Sequence, residues 1–309
     1  MTSGWRLSAM VAAAGFCVAM LPMLAPGSND GETKPNGKGT GTLLNPGNGN
    51  SDAGQVKAAR PGGGNGINYH GGQVMLGTVN VYYIWYGDWS GDSATSILPD
   101  LASNIGGSPY FRINTTYYDG AANHVTGLVQ YKTSVNDNYS LGTTLSDANI
   151  QTIVTNAINS HALPNDPNGA YFVLTSKDVA ESSGFCTQYC GWHTYGIIAG
   201  TNIKYAFVGN ASRCPSACEA QTTSPNGNAG ADAMASVIAH ELEEMVTDPN
   251  LNAWYDTRGY ENADKCAWTF GTVSSASNGS LYNMILGTRQ FLIQRNWVNA
   301  SGGYCALSF

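Results

Sequence analysis

The chain is 309 residues long, enough for one large domain or two small ones, each with a buried core. Its 14 Lys and Arg against 21 Asp and Glu give a net charge of -7. No stretch gathers enough basic side chains to neutralise a row of phosphates, so nucleic acid is excluded as the expected partner.

The chain opens MTSGWRLSAMVAAAGFCVAMLPMLAPGSND, with one arginine ahead of an apolar run from Leu7 to about Ala25. This layout predicts a signal peptide over residues 1–26. The rival is a membrane anchor, since the run is nearly long enough to span a bilayer, but no basic cluster follows it. No other segment is apolar enough to cross, so no membrane is expected as a partner after signal removal. Residues 27–66 are rich in Gly, Asn and Pro and read as a disordered linker, because they offer too little apolar surface to offset the entropy of ordering them. The folded domain is expected over 67–309.

Within it, QVMLGTVNVYYIWYG reads as a strand, and SATSILPDLASNIGG as a helix with a proline in its path. YFRINTTYYD and HVTGLVQYKTSV read as two more strands. LSDANIQTIVTNAINSHALP is the first long helix, capped by Ser146 and carrying Ile150, Ile153, Val154 and Ile158 at helical spacing. AYFVLTSKDV reads as a buried strand, and YGIIAG with KYAFVG as a hairpin joined through Thr201 and Asn202. The second long helix runs from about Gly230 to Asp248, and RQFLIQRNWV is the expected closing strand. The sum is a single α+β domain with a mixed β-sheet and two long helices.

Cys17 lies in the leader, which leaves Cys186, Cys190, Cys214, Cys218, Cys266 and Cys305. An even set in an exported chain reads as three disulfides. The order along the chain suggests Cys186 with Cys190, Cys214 with Cys218, and Cys266 with Cys305. The rival is a zinc site in CTQYCGWH built on Cys186, Cys190 and His193, which would need reduced thiols to survive export. Otherwise His193 reads as a satisfied loop histidine, ahead of the alternative that it faces a cleft as an electrophile or ligand.

The chemistry concentrates in VIAHELEEMVTDP. At about 100° per residue, Met234, Ile238, Leu242, Met245 and Val246 share one face, and His240, Glu244 and Asp248 share another. His240 and Glu244 are four apart and can reach one point above a single turn. This is the HExxH zinc arrangement with glutamate in place of the second histidine, a zincin-like pattern. Hydrolytic zinc needs three protein ligands, an open position and a nearby carboxylate base. His240 and Glu244 are the expected ligands and Glu241 the base. The third ligand is expected from Glu261 or Asp264 in YENADKCAW, a segment that Cys266 anchors, ahead of Asp248 and Asp256. Tyr255 or Tyr260 is a candidate to stabilise an oxyanion. HExxE alone is weak, and its bland reading is the solvated stripe of an amphipathic helix. A carboxylate-rich set also suits harder cations, so Ca2+ stands as the alternative to Zn2+.

From about Gly71 to the end, the stretches GGQVMLGTVNVYYIWYGDW, YFRINTTYYD, AYFVLTSKDV, GFCTQYCGWH, KYAFVGNASRCPSAC and SPNGNAGADAM resemble, in that order, the phosphate-induced protein or EXORDIUM-like family. With its HExxE helix the chain resembles a microbial, zincin-like branch of that family. The resemblance implies a secreted, extracellular or cell-wall protein linked to growth and nutrient signalling, with no established reaction. Two expectations follow. One is a secreted zinc-dependent metallohydrolase, peptidase-like, acting on a peptide or protein. The other is a non-enzymatic signalling or wall-binding protein, with an extracellular or cell-wall component as partner and a structural metal.

Overall fold

The computed structural model describes residues 1–2, 33–38 and 66–309. The expected signal peptide, apart from residues 1–2, and the expected linker, apart from 33–38 and Gly66, lie outside the described residues. Chain contacts fall into two units, Met1–Gly31 and Glu32–Phe309, and the fold belongs to the second.

Its centre is a five-stranded mixed sheet. In chain order the elements are β1 (Val79–Tyr86), α1 (Ala94–Ile105), β2 (Val129–Asp137), α2 (Asp147–Asn159), β3 (Gly169–Thr175), β4 (Gly191–Ile198), β5 (Thr201–Gly209) and α3 (Ala229–Thr247). The sheet order is β2-β1-β3-β5-β4, parallel from β2 to β5, with β4 antiparallel at the edge. The central strands are nearly continuous runs of β-branched and aromatic residues, and every residue of β3 is buried, as expected of strands covered on both faces. Side-chain parity on β4 shows what covers them. Gly191 lies against Val237 of α3, while Gly196, of opposite parity, lies against Gln151 of α2. Among the described residues no helix is long and apolar enough to cross a membrane.

Helix α2 begins as its sequence predicts, with a capping box in which the Ser146 hydroxyl accepts from the Asn149 backbone N–H and the Asn149 side chain accepts from the Ser146 N–H. Helix α1 forms straight through Pro99, so among the described residues the long helices number three, of 12, 13 and 19 residues, rather than two, beside the short Pro215–Cys218.

Three local expectations fail for identifiable reasons. YFRINTTYYD is not a strand; Phe111–Thr116 is a 3-10 turn. The side chains of Asn114, Thr115 and Thr116 each donate to the carbonyl three residues back, at 3.1, 2.7 and 2.8 Å, an alternative to a strand ladder that these residue types favour. The β4–β5 hairpin turns at Ala199 and Gly200, both at positive φ, and Thr201 and Asn202 are already paired in β5. RQFLIQRNWV is two short strands, because the N–H groups of Ile293, Gln294 and Arg295 go to Asn283 Oδ1, Ser236 Oγ and the Thr269 carbonyl.

Two of the three expected disulfide pairings also differ. The bonds are Cys186–Cys214, Cys190–Cys218 and Cys266–Cys305. The hairpin brings the turn before β4 beside the short helix Pro215–Cys218 after β5, and two cysteines four apart on each side face each other as rungs. The zinc reading of CTQYCGWH falls with this, since both its thiols are spent.

Candidate metal centre

Helix α3 starts where the Asn228 side chain accepts from the Ala231 N–H at 3.0 Å and stops at Asp248, before Pro249. It packs between α1 and the β4–β5 edge of the sheet, and nearly every side chain from Gly230 to Thr247 is buried. The stripe carrying His240 and Glu244 is therefore not a solvated face. His240 is 4 % exposed, Glu241 2 %, Glu244 1 % and Glu261 0 %.

Around that stripe the fold assembles five groups from three elements. Glu244 and His240 come from α3, and Glu261 and Asp264 from the following loop and 3-10 turn. His193 comes from the edge strand β4. The His240 Nε2 lies 3.1 Å from Glu244 Oε1 and 3.5 Å from Asp264 Oδ1. The His193 Nε2 lies 3.6 Å from Glu244 Oε2 and 3.3 Å from the Glu261 carboxylate. Two donors about 2.1 Å from one ion at tetrahedral angles stand about 3.4 Å apart, so these separations suit a shared ion as well as direct His–carboxylate pairing. Their hydrogen bonding favours the ion. His240 Nε2, Glu261 Oε1 and Asp264 Oδ1 are buried and make no hydrogen bond. Native proteins seldom leave such atoms orphaned, and buried carboxylates call for a counter-charge. Among the described residues no lysine or arginine pairs with Glu241, Glu244, Glu261 or Asp264.

Electrostatics follow from this crowding. Burial pushes the Glu261 carboxyl well above its ordinary value, and Glu244, Asp248, Asp264 and Glu241 push it further. Burial likewise raises Glu241, opposed by His240 and reinforced by Glu244 and Asp264. Burial lowers His193 to about 4 despite Glu244, which keeps its imidazole in the neutral, ligating form. For His240, burial pulls down, but Glu244, Asp264 and Glu241 together push it well above the ordinary value.

A second layer fixes these groups. The Asp264 N–H donates to Glu244 Oε1 at 3.0 Å, and the Glu261 N–H to Asp264 Oδ2 at 3.3 Å. The loop between them is held by Asn262, whose amide donates to the Asn114 side chain and to the Glu243 carbonyl, and by the Cys266–Cys305 bond. Glu243, turned away from the cluster, accepts from Asn296. Such outer partners orient ligands and are as much a part of a metal site as the ligands themselves.

Glu241 sits at the mouth of the cluster, in a cleft lined by Gly191, Val237, His240, Trp268 and Gln294. A Cβ on Gly191 would stand 3.1 Å from Glu241 Oε1 and 2.5 Å from Val237, so glycine lets β4 pass this close. The cleft continues past Val237, Trp268 and Gln294 into a groove bounded by Asp232, Ser236, Phe270 and Leu292. On the outer edge of β4, the His193 N–H donates to the Gly37 carbonyl at 2.9 Å, and Lys38 reaches Asp147 at 2.6 Å and Ser183 at 2.9 Å. Residues 33–38, part of the expected linker, thus dock beside the strand that carries His193.

Glu241, His240, Glu244, Glu261 and Asp264 are brought together. Asp248 and Asp256 are not among them. Asp248 caps α3 by accepting from the Asn252 and Ala253 N–H groups, both at 2.6 Å, with its carboxyl pushed up to about 7 by burial. Asp256 accepts from Arg258 and Tyr260 N–H and pairs with Lys265. Tyr255 stacks on His70, and Tyr260 packs under Arg258. The residue that sequence reasoning considered but left out of the expected ligand set is His193. Its signal is the alternation of GWHTYGII, which puts Gly191 and His193 on the face of β4 toward α3.

Residues 67–305 match the family model described as the phosphate-induced protein 1 conserved region. "Protein EXORDIUM-like 3" of Arabidopsis thaliana is 33 % identical over 77 % of this chain and 82 % of its own length. "Protein EXORDIUM-like 5" of the same plant is 33 % identical over 75 % of each, and "Protein PHOSPHATE-INDUCED 1" of Nicotiana tabacum 28 % identical over 61 % of this chain and 67 % of its own. The crystal structure of metalloproteinase-II from Bacteroides fragilis superposes at a TM-score of 0.30 and 16 % identity, over 60 % of this chain and 48 % of that one, too loosely to support any argument. A conserved-region match across almost the whole described domain, together with relatives at one-third identity, makes this chain a member of the phosphate-induced protein 1 family, to which it is joined as an EXORDIUM-like protein.

Proposed function

We propose that the chain is a secreted, zinc-dependent hydrolase of zincin-like, peptidase type, with zinc on His240, Glu244 and Asp264 and with Glu241 as general base. The observation that carries this is the convergence of His240 Nε2, Glu244 Oε1 and Asp264 Oδ1, each within ligand separation of its neighbour and two of them without a hydrogen bond. Of the two candidates for third ligand, Asp264 faces His240, whereas Glu261 faces His193. Imidazole nitrogen favours zinc over calcium, which takes oxygen ligands. Bound zinc would polarise a scissile carbonyl and lower the pKa of its water. The protein's own part is to hold Glu241 beside that position, in the cleft with His240 and Gly191, where a carboxylate can accept a proton and return it to a leaving amine. A substrate would approach Glu241 from the narrow cleft that Gly191, Trp268 and Gln294 line. Export is supported by the three disulfides, which need an oxidising compartment.

A second reading, a non-enzymatic extracellular signalling or wall-binding protein with a structural metal, is favoured by the near-complete burial of the cluster. One experiment separates the two. Zinc content and chelator-sensitive cleavage of an unfolded protein are measured for the wild type and for Glu241→Gln. Loss of cleavage with zinc retained supports the hydrolase. Zinc bound with no cleavage by either protein favours the structural role, and a wild type that holds no metal at all sinks both.

A further inference from the structure

We propose that this centre takes two metal ions, bridged by the carboxylate of Glu244. The inference rests on the zinc reading above and extends it to a second, inner position made by His193 and Glu261. The two oxygens of Glu244 face different partners. Oε1 is 3.1 Å from His240 Nε2, and Oε2 is 3.6 Å from His193 Nε2. Each half then holds one imidazole and one further carboxylate, Asp264 beside His240 and Glu261 beside His193, and within each half all three donor atoms lie within 4.8 Å of one another. A carboxylate that offers one oxygen to each of two such half-sites is the bridging arrangement of two-metal hydrolases, whose ions stand roughly 3.5–4 Å apart.

Charge and hydrogen bonding support the second ion independently of the first. Glu261 is 0 % exposed; its Oε2 is in hydrogen-bond range of His193 Nε2 at 3.3 Å, while its Oε1, equally 3.3 Å from that nitrogen, makes no hydrogen bond. With an ion only at the His240 half, Glu261 would remain a buried acid without a counter-charge, next to two other carboxylates. One divalent ion against Glu244, Asp264 and Glu261 leaves the centre net negative. Two ions would balance these three together with the neighbouring Glu241. The halves also differ in access. His240 lines the cleft beside Glu241, whereas His193 and Glu261 are fully enclosed. The outer half, held by His240 and Asp264, would take the ion that faces a substrate, and the inner half, held by His193 and Glu261, would take one that fixes Glu244.

The test is metal stoichiometry on the purified chain, stripped with chelator and titrated with Zn2+ alone under calorimetry, with bound metal measured by elemental analysis after dialysis. Two equivalents are expected in the wild type, one in Glu261→Gln and in His193→Ala, and loss of both in Glu244→Ala. In the cobalt-substituted wild type, spin coupling across the bridge attenuates the paramagnetic signal, and Glu261→Gln restores it. One equivalent in the wild type overturns the two-ion inference; if it survives His193→Ala the single-zinc reading stands, and if it is lost the ligand set of that reading falls as well. No bound metal overturns both. If His193→Ala fails to fold, the wild-type stoichiometry and the cobalt signal still decide.

Discussion

Removing the metal should lower the melting temperature by an amount that depends on pH. A ligand that binds only the native state and is present at 1,000 times its Kd contributes about 4.1 kcal/mol of stability. For a domain of about 150–250 residues each kcal/mol moves the melting point by about 2–4 °C, so saturating zinc against excess chelator should separate the transitions by roughly 8–16 °C. The stripped protein does not simply fall apart, because Glu241 and Glu261 can take up protons. Burial and mutual repulsion raise both above the ordinary glutamate value of 4.5. A carboxyl raised in the folded state stabilises it fully below the unfolded value, and that stabilisation is lost as pH rises through the folded one. The chelated protein should therefore melt progressively lower from about pH 5 upward, while the zinc-loaded protein, its ligands already ionised, loses less. The gap widens with pH. Differential scanning fluorimetry at several pH values with and without chelator reads this directly, with Glu244→Ala as the control whose transition ignores zinc. Curves that coincide within about 1 °C at every pH would refute the claim that these buried carboxylates are ligands.

Reducing Cys266–Cys305 by replacing both residues with serine opens a loop of sequence separation 39 and should cost about 2–4 kcal/mol in urea denaturation. Zinc affinity should fall with it, because Cys266 anchors the turn that presents Asp264; unchanged affinity would show that the turn is held by Asn262 alone. Glu243→Gln should cost under about 1 kcal/mol, since burial already raises Glu243 well above its ordinary value and the amide oxygen can still accept from Asn296, whereas Glu243→Ala, which strands Asn296, should cost about 1–3 kcal/mol. Equal losses in the two variants would contradict a neutral Glu243. Gly37→Val should undock residues 33–38, because Gly37 is at φ +72° and a Cβ there would stand 1.8 Å from the His193 carbonyl oxygen. Faster tryptic cleavage after Lys38 is the readout, and an unchanged cleavage rate would mean that the segment is not held through this contact.

The elements that sequence reading located are those whose signals are local. The Ser146 box, the hydrophobic spacing of α2 and the bounds of α3 depend on residues within a few turns of one another, and so does the meeting of His240 with Glu244. Glu261 and Asp264 were accessible because a cysteine marks their segment. What stayed hidden depends on contacts between distant parts of the chain. His193 is 47 residues from His240 and reaches the centre only because β4 turns antiparallel along the sheet edge. The rung pairing of Cys186 and Cys190 has the same origin, since nothing in CTQYC records that CPSAC will lie opposite. The 3-10 turn at 111–116 failed for a different reason. Its apolar alternation mimics a strand, and only the side chains of Asn114, Thr115 and Thr116 folding back on the chain decide otherwise.

Glu241 is the residue that weighs a catalytic centre against a structural one. Neither half of the proposed metal site uses it, although it is 2 % exposed and lies beside His240, Glu244 and Asp264. A carboxylate in that position costs the folded state several kcal/mol unless it is neutralised, and a site serving only to brace the fold would be better served by leucine or glutamine. The chain nevertheless keeps glutamate there and glycine opposite, so that β4 passes within contact of Glu241 and the cleft opens beside it. Stability is spent at this point for something stability does not explain, which is the usual mark of a working acid or base. On that ground the hydrolase stands ahead of the structural reading.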